Sequence, residues 1–184
     1  MAAKPLPDQA LLLKLLQYEP ETGKLFWRER PASMYASESI MLRFNRHRAG
    51  KEAFTAVERG YRFGFMSQFG RLRAHRVIWC MVNGDWPEQI DHINQDRSDN
   101  RIENLRVASR EQNARNCRIS SRNRSGRIGV HWSSRIKRWR AKIRHGGRYI
   151  YLGDYLSFRE ACSARQAAEI AFGYSPLHGK KSRL

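Results

Sequence analysis

The sequence predicts an α+β chain in which a strand, a long polar loop, a strand and a helix are followed by a three-stranded antiparallel sheet packed on one helix. Three observations predict it. Ile90-Asp91-His92 and Leu105-x-Val107 enclose a polar run, and Ser109 with Gln112 three residues later forms a capping box that opens a helix. From Arg138 to Arg144, cationic Arg138, Arg140, Lys142 and Arg144 alternate with apolar Trp139, Ala141 and Ile143, the period-two pattern of a half-buried strand. Ser157 and Glu160 form a second capping box, ahead of an alanine-rich stretch that stops at Gly173.

Taken from the start, Asp8 caps a short helix through Leu11, Leu12, Leu15 and Leu16, whose spacing marks core residues, and the helix closes before Pro20. Glu21-Thr22-Gly23 is a turn and Lys24 to Arg28 a strand. Residues 31–59 read as irregular, with a basic cluster of Arg43, Arg46, His47, Arg48 and Lys51 that suits a phosphate-touching loop or a solvated surface equally. Tyr61 to Arg73 reads as a hairpin turning near Gln68-Phe69-Gly70. A helix then runs from Ala74 to Asn83-Gly84, with Val77, Ile78, Trp79 and Val82 expected beneath the Asp91-His92 strand. His75, at that helix start, is read as a hydrogen-bonded structural residue rather than a ligand.

Residues 118–126 have the composition of a flexible basic linker, with Arg122 and Arg124 free to follow a groove. Beyond it, Ile128 to Trp132, Lys137 to Arg144 and Arg148 to Leu152 read as three strands, with His145-Gly146-Gly147 as a turn. Tyr149 and Tyr151 fall on the cationic side of the sheet, and the alanines let the last helix lie close on the other. The organisation expected is a collar at 1–60, a ββα domain at 61–117, a linker at 118–126, a second domain at 127–175 and a basic tail at 176–184.

Charge points to an anionic partner. The chain of 184 residues carries a net charge of +18, and from Arg115 onward 17 Lys and Arg face 3 Asp and Glu, so +14 of it lies there. Nucleic acid fits better than a membrane surface, because no long basic amphipathic helix carries the charge. Cys80, Cys117 and Cys162 have no CxxC spacing, which argues against zinc knuckles and for a reducing compartment. No signal-peptide layout opens the chain, and its longest apolar run is broken by Lys14, so a soluble cytoplasmic protein is expected.

The polar loop is where chemistry is expected. In a ββα unit, Asp91 and His92 end the first strand and can face the first helical turn, from which Asn113 projects. A carboxylate and an amide oxygen are hard ligands that suit Mg²⁺ shared with a phosphate, and a neutral imidazole beside them is a suitable general base for water. Asn94, Asp96, Ser98 and Asn100 do not make a calcium loop, since its sixth and twelfth positions would be Asp99 and Leu105 rather than Gly and Glu.

These residues resemble those of HNH endonucleases of phage and homing type, the ββα-metal fold, with His92, Asn104 and Asn113 at the three motif positions and Asn where many members have the last His. Tyr18-x-Pro20-x-Thr22-Gly23 resembles the start of such phage enzymes. The resemblance implies one Mg²⁺ (or Mn²⁺) on Asp91 and Asn113, water activation by His92, and Asn104 fixing the loop and the orientation of His92. It also implies 5′-phosphate and 3′-hydroxyl ends. Gly129-Val130, Trp139-Arg140-Ala141, Leu152-Gly153 and the alanine-rich helix resemble the Apetala-two/ethylene-response-factor DNA-binding domain. That resemblance implies a sheet reading double-stranded DNA through His131, Arg138, Arg140, Lys142, Arg144, Tyr149 and Tyr151. Ile128 and His131 stand where that family usually has Arg, so its base preference does not carry over.

The expected function is a metal-dependent DNA endonuclease that nicks, acts as a monomer and is positioned by its C-terminal domain. The alternative is a sequence-specific DNA-binding or regulatory protein with an inactive centre. RNA binding through stacked aromatics is a third reading, less suited to tyrosines alternating with core positions.

Overall fold

The computed structural model describes residues 5–180, so residues 181–184 of the expected tail lie outside the described residues. It is a mixed α and β structure with several small antiparallel sheets, divided into two compact units, 1–107 and 108–184.

In the first unit, α1 (Gln9–Leu15) is capped by Asp8, whose side chain accepts from the Leu11 N–H at 2.7 Å. Leu16, expected in the helix, instead opens β1 (Leu16–Glu19), because its backbone pairs with β2 (Lys24–Trp27) in a hairpin closed at Gly23. Residues 31–59 are more regular than their sequence suggests. They contain α2 (Glu38–Arg48), β3 (Glu52–Ala53) on the edge of β2, and β4 (Ala56–Glu58). No residue of α2 is fully buried, and only Met41, Phe44 and Asn45 are half-covered, so the apolar stripe that reveals a helix in a sequence is narrow.

β4, β5 (Tyr61–Met66) and β6 (Gly70–Arg73) form a meander that leads into α3 (Ala74–Asn83). Gly84 ends α3 in the left-handed region at φ +85, its N–H on the Cys80 carbonyl at 2.9 Å. Val77, Ile78, Cys80 and Met81 of α3 join Leu12, Leu16 and Leu25 in the core, whereas Val82, expected there, is exposed on the opposite face. The floor reaches Ile90 and Leu105, on the short antiparallel ladder of β7 (Ile90–His92) and β8 (Leu105–Val107).

The second unit holds α4 (Arg110–Arg115), β9 (Val130–Ser133), β10 (Arg138–His145), β11 (Arg148–Tyr155) and α5 (Phe158–Ala171). Both capping boxes form, Ser109 with Gln112 and Ser157 with Glu160. The sheet order is β11, β10, β9, and Val130, Ala141 and Ile143 lie buried on the sheet, with Ala161 of α5 in the same core. Ile128 precedes β9 because Gly129, at φ +77, turns the chain; a Cβ there would stand 2.3 Å from the Lys142 carbonyl oxygen. Residues 118–126, linker-like in composition, are pinned inside this unit: Ile119 N–H donates to Lys180 O, and the Asn123 side chain accepts from Gly126 N–H. α5 does not rest on alanine alone. Arg165 and Glu169 are buried with His178 beneath it.

Candidate active site and basic face

β7 delivers Asp91 and His92 side by side, and all three of its residues are buried because the β8 strand and α3 enclose them. Asp91 lies opposite Arg106 in the ladder, and the guanidinium donates to its Oδ2 from Nε at 3.1 Å and from Nη2 at 2.8 Å. His92 is only 4% exposed, and its Nε2 lies 3.2 Å from Oδ1 of Asn100. The His75 ring meets it edge to face with centroids 5.0 Å apart, and Tyr61 flanks both rings. Burial holds the His92 pKa below that of a free imidazole, opposed by the Asn100 hydrogen bond and by Asp91, Asp96 and Asp99. Burial also pushes His75 down to about 3, helped by His92, Arg73 and Arg76. The expected hydrogen bonding of His75 is not met at Nδ1, which is buried without a partner.

The polar loop is ordered by its own side chains. Asn104 is the hub: its Oδ1 accepts from Asn94 N–H at 3.0 Å, and its Nδ2 donates to Asn94 Oδ1 at 2.9 Å and to the Asp99 carbonyl at 2.8 Å. Its own carbonyl accepts from Ile93 N–H at 2.9 Å, so the chain directly after His92 is tied at two successive amides. Arg101 clamps Asp99 through Nε and Nη2. Asp91, His92 and Asn104 thus come together in the first unit. Asn113 stands in the first turn of α4, in the second unit, its N–H on the Ser109 carbonyl at 3.0 Å.

In the second unit the cationic residues lie on the face away from α5. Lys142 Nζ sits 4.7 Å from the Tyr149 ring centroid, and Arg144 caps the same ring. Arg138, Arg144, Tyr149, Tyr151 and His131 are exposed, as are Arg122 and Arg124. Arg140 differs from its neighbours: it forms a two-pronged pair with Asp154, at 2.8 and 2.9 Å, so part of its charge is spent within the protein. That pairing, with a further hydrogen bond from Tyr151, holds the Asp154 carboxyl down at about 2. β11 carries a bulge at Leu152, where register shifts between Ala141 and Lys142, and this lets Asp154 face Arg140.

The HNH endonuclease family matches residues 72–115, from the end of β6 through α3, β7, the polar loop, β8 and α4. Protein 3.8 of Escherichia phage T7 is 32% identical over 114 residues, which cover 61% of this chain and 89% of that protein. The chain belongs to the HNH endonuclease family. No solved structure matches it. An HNH domain implies a DNA substrate, and no helix among the described residues is long and apolar enough to cross a membrane.

HNH nucleases generally depend on a divalent metal, and the donors here fit one in kind. Asp91 offers a carboxylate, a hard donor of the kind that divalent ions take. No group of three or more His, Cys, Asp or Glu among the described residues is arranged to hold a metal. Three further residues stand against Asp91 and His92: Asn100, Arg106 and His75. Nothing in the sequence singles out Asn100 within its polar run or Arg106 in its strand, and His75 reads as a structural histidine. The Asp91–Arg106 pairing was accessible in principle, because β7 and β8 fix which residues stand opposite each other.

Proposed function

We propose that this chain is a metal-dependent DNA endonuclease that nicks double-stranded DNA as a monomer. The observation that carries the reading is the buried, neutral-leaning His92 beside Asp91 at the end of β7, inside the span that the HNH family matches. His92 takes a proton from a water, whose oxygen attacks the scissile phosphorus as the bond to the leaving 3′ oxygen breaks. The water's oxygen stays on the 5′ phosphate, and the departing 3′ oxygen takes a proton from solvent and is released as a hydroxyl. Asp91 and Asn113 are the proposed holders of Mg²⁺, which when bound offsets the charge that builds on the phosphate. Asn104 fixes the loop that follows His92, through its contacts to Ile93 and Asn94.

The C-terminal sheet, with an Apetala-two/ethylene-response-factor likeness, is proposed to bind the duplex through His131, Arg138, Arg140, Lys142, Arg144, Tyr149 and Tyr151, with Arg122 and Arg124 on phosphates. A chain net +14 from Arg115 onward supports that assignment. One observation favours a second reading, a DNA-binding protein that does not cut: Arg106 already neutralises Asp91. Conversion of supercoiled plasmid to open circle by the wild type, and not by His92→Ala, separates the two.

A further inference from the structure

We propose that Asn100 is a positioning residue that sets the tautomer of His92, and that Tyr18 and Gly23 of the N-terminal hairpin hold Asn100 in place. The inference rests on the reading of His92 as the general base and names what keeps that base in its working form.

Asn100 has no solvent exposure, and its Oδ1 is the atom placed 3.2 Å from His92 Nε2. An amide oxygen can only accept, so Nε2 carries the hydrogen and the imidazole lone pair sits on Nδ1. The opposite tautomer would set two lone pairs against each other in a site without solvent. His75 packs edge to face on the same ring, leaving rotation of His92 little room.

The backbone that carries Asn100 is held from the far end of the chain. The Tyr18 hydroxyl accepts from Ile102 N–H at 2.9 Å and lies 3.4 Å from the Asn100 carbonyl, to which it donates. Gly23 closes the β1–β2 hairpin at φ +68, and a Cβ on it would stand 2.6 Å from Arg101 N and 2.7 Å from Asn100 C. Both contacts reach the same three-residue stretch, 100–102, and both come from the first 23 residues. The hairpin is therefore more than a packing collar. It is a brace against the loop segment that presents Asn100 to His92.

Nuclear magnetic resonance of the full chain with ¹⁵N-labelled histidine reads the tautomer directly, at about pH 8 where free imidazoles are neutral. His92 is assigned by comparison with His92→Gln. The wild type is expected to show His92 protonated on Nε2. Asn100→Ala is expected to give a mixture of tautomers, Tyr18→Phe a smaller shift in the same direction, and Asn100→Asp, which keeps an acceptor, the wild-type tautomer. In plasmid nicking, Asn100→Ala is expected to lower kcat about tenfold or more with KM changed less than about twofold. A wild-type His92 protonated on Nδ1 overturns the proposal without need of any variant, and so does an Asn100→Ala spectrum identical to the wild type. If no protein cuts the plasmid, the nuclease reading fails, while the tautomer result still decides the role of Asn100.

Discussion

Asp91 and Arg106 stand opposite each other in the β7–β8 ladder, and both hydrogen bonds from the guanidinium go to one oxygen, Oδ2. The cation competes with any metal for the same carboxylate. Arg106→Gln is expected to lower the Mg²⁺ concentration that gives half-maximal nicking. It also leaves a largely buried carboxylate short of two charged donors, so stability should fall by about 1 to 3 kcal/mol. A metal titration of activity alongside urea denaturation checks both halves.

Acid should unfold the protein through its buried histidines. His75 is held at about 3 and His178 at about 4, the latter by burial with Arg165 and Arg127 nearby. Both ionise near 6.5 in the unfolded chain, so below that pH the unfolded state binds protons that the native state refuses. Stability is therefore fully present above pH 6.5 and falls as pH drops toward 4, by about 1.4 kcal/mol per pH unit for each histidine. His75→Phe should flatten that slope in denaturation curves measured between pH 6.5 and 4.

His92 titrates low for the same first reason, burial. A general base is competent when neutral, so the alkaline plateau of nicking should extend below the pH at which a free imidazole loses its activity. The pH profile of kcat/KM at fixed Mg²⁺ reads this.

On the basic face, Lys142→Ala and Arg144→Ala should each reduce the slope of log affinity against log salt by about 0.9. Arg140→Ala should reduce it less, because Asp154 already holds its guanidinium in a two-pronged pair. Filter binding of a duplex across a salt series distinguishes the three variants.

Under α5, Arg165 is 2% exposed and joins Glu169 at 2.9 Å, the Lys142 carbonyl at 2.8 Å and the His178 ring. Arg165→Met should cost about 3 to 5 kcal/mol, because it leaves Glu169 buried against fewer donors. Thermal unfolding measures the loss.

What could be seen in the sequence were features with local causes. Ser109–Gln112 and Ser157–Glu160 announce helix starts within four residues, Gly84 announces a stop, and the alternation from Arg138 to Arg144 declares a half-buried strand. What stayed hidden depends on distant partners. α2 fully buries no residue and only half-covers Met41, Phe44 and Asn45, so its stripe is too narrow to read. Arg165 and Glu169 sit on an otherwise small-residue helix as though in solvent, yet the segment around His178 covers them. Asn100 and Tyr18 are 82 positions apart, and no spacing rule joins them. The candidate site was legible to the same degree: the motif points to the segment that the HNH family matches, but neither to the amide against His92 nor to the cation on Asp91.

On the proposed reading, His92 is the base of a working nuclease. Supercoiled plasmid incubated with the wild type and with His92→Ala, each with Mg²⁺ or with a chelator, tests it most directly, with phage and host genomic DNA as further substrates. Metal-dependent conversion to open circle is expected from the wild type and none from the variant, while both bind DNA equally. Cleavage by His92→Ala at the wild-type rate, or binding of every substrate without cleavage by the wild type, would contradict it.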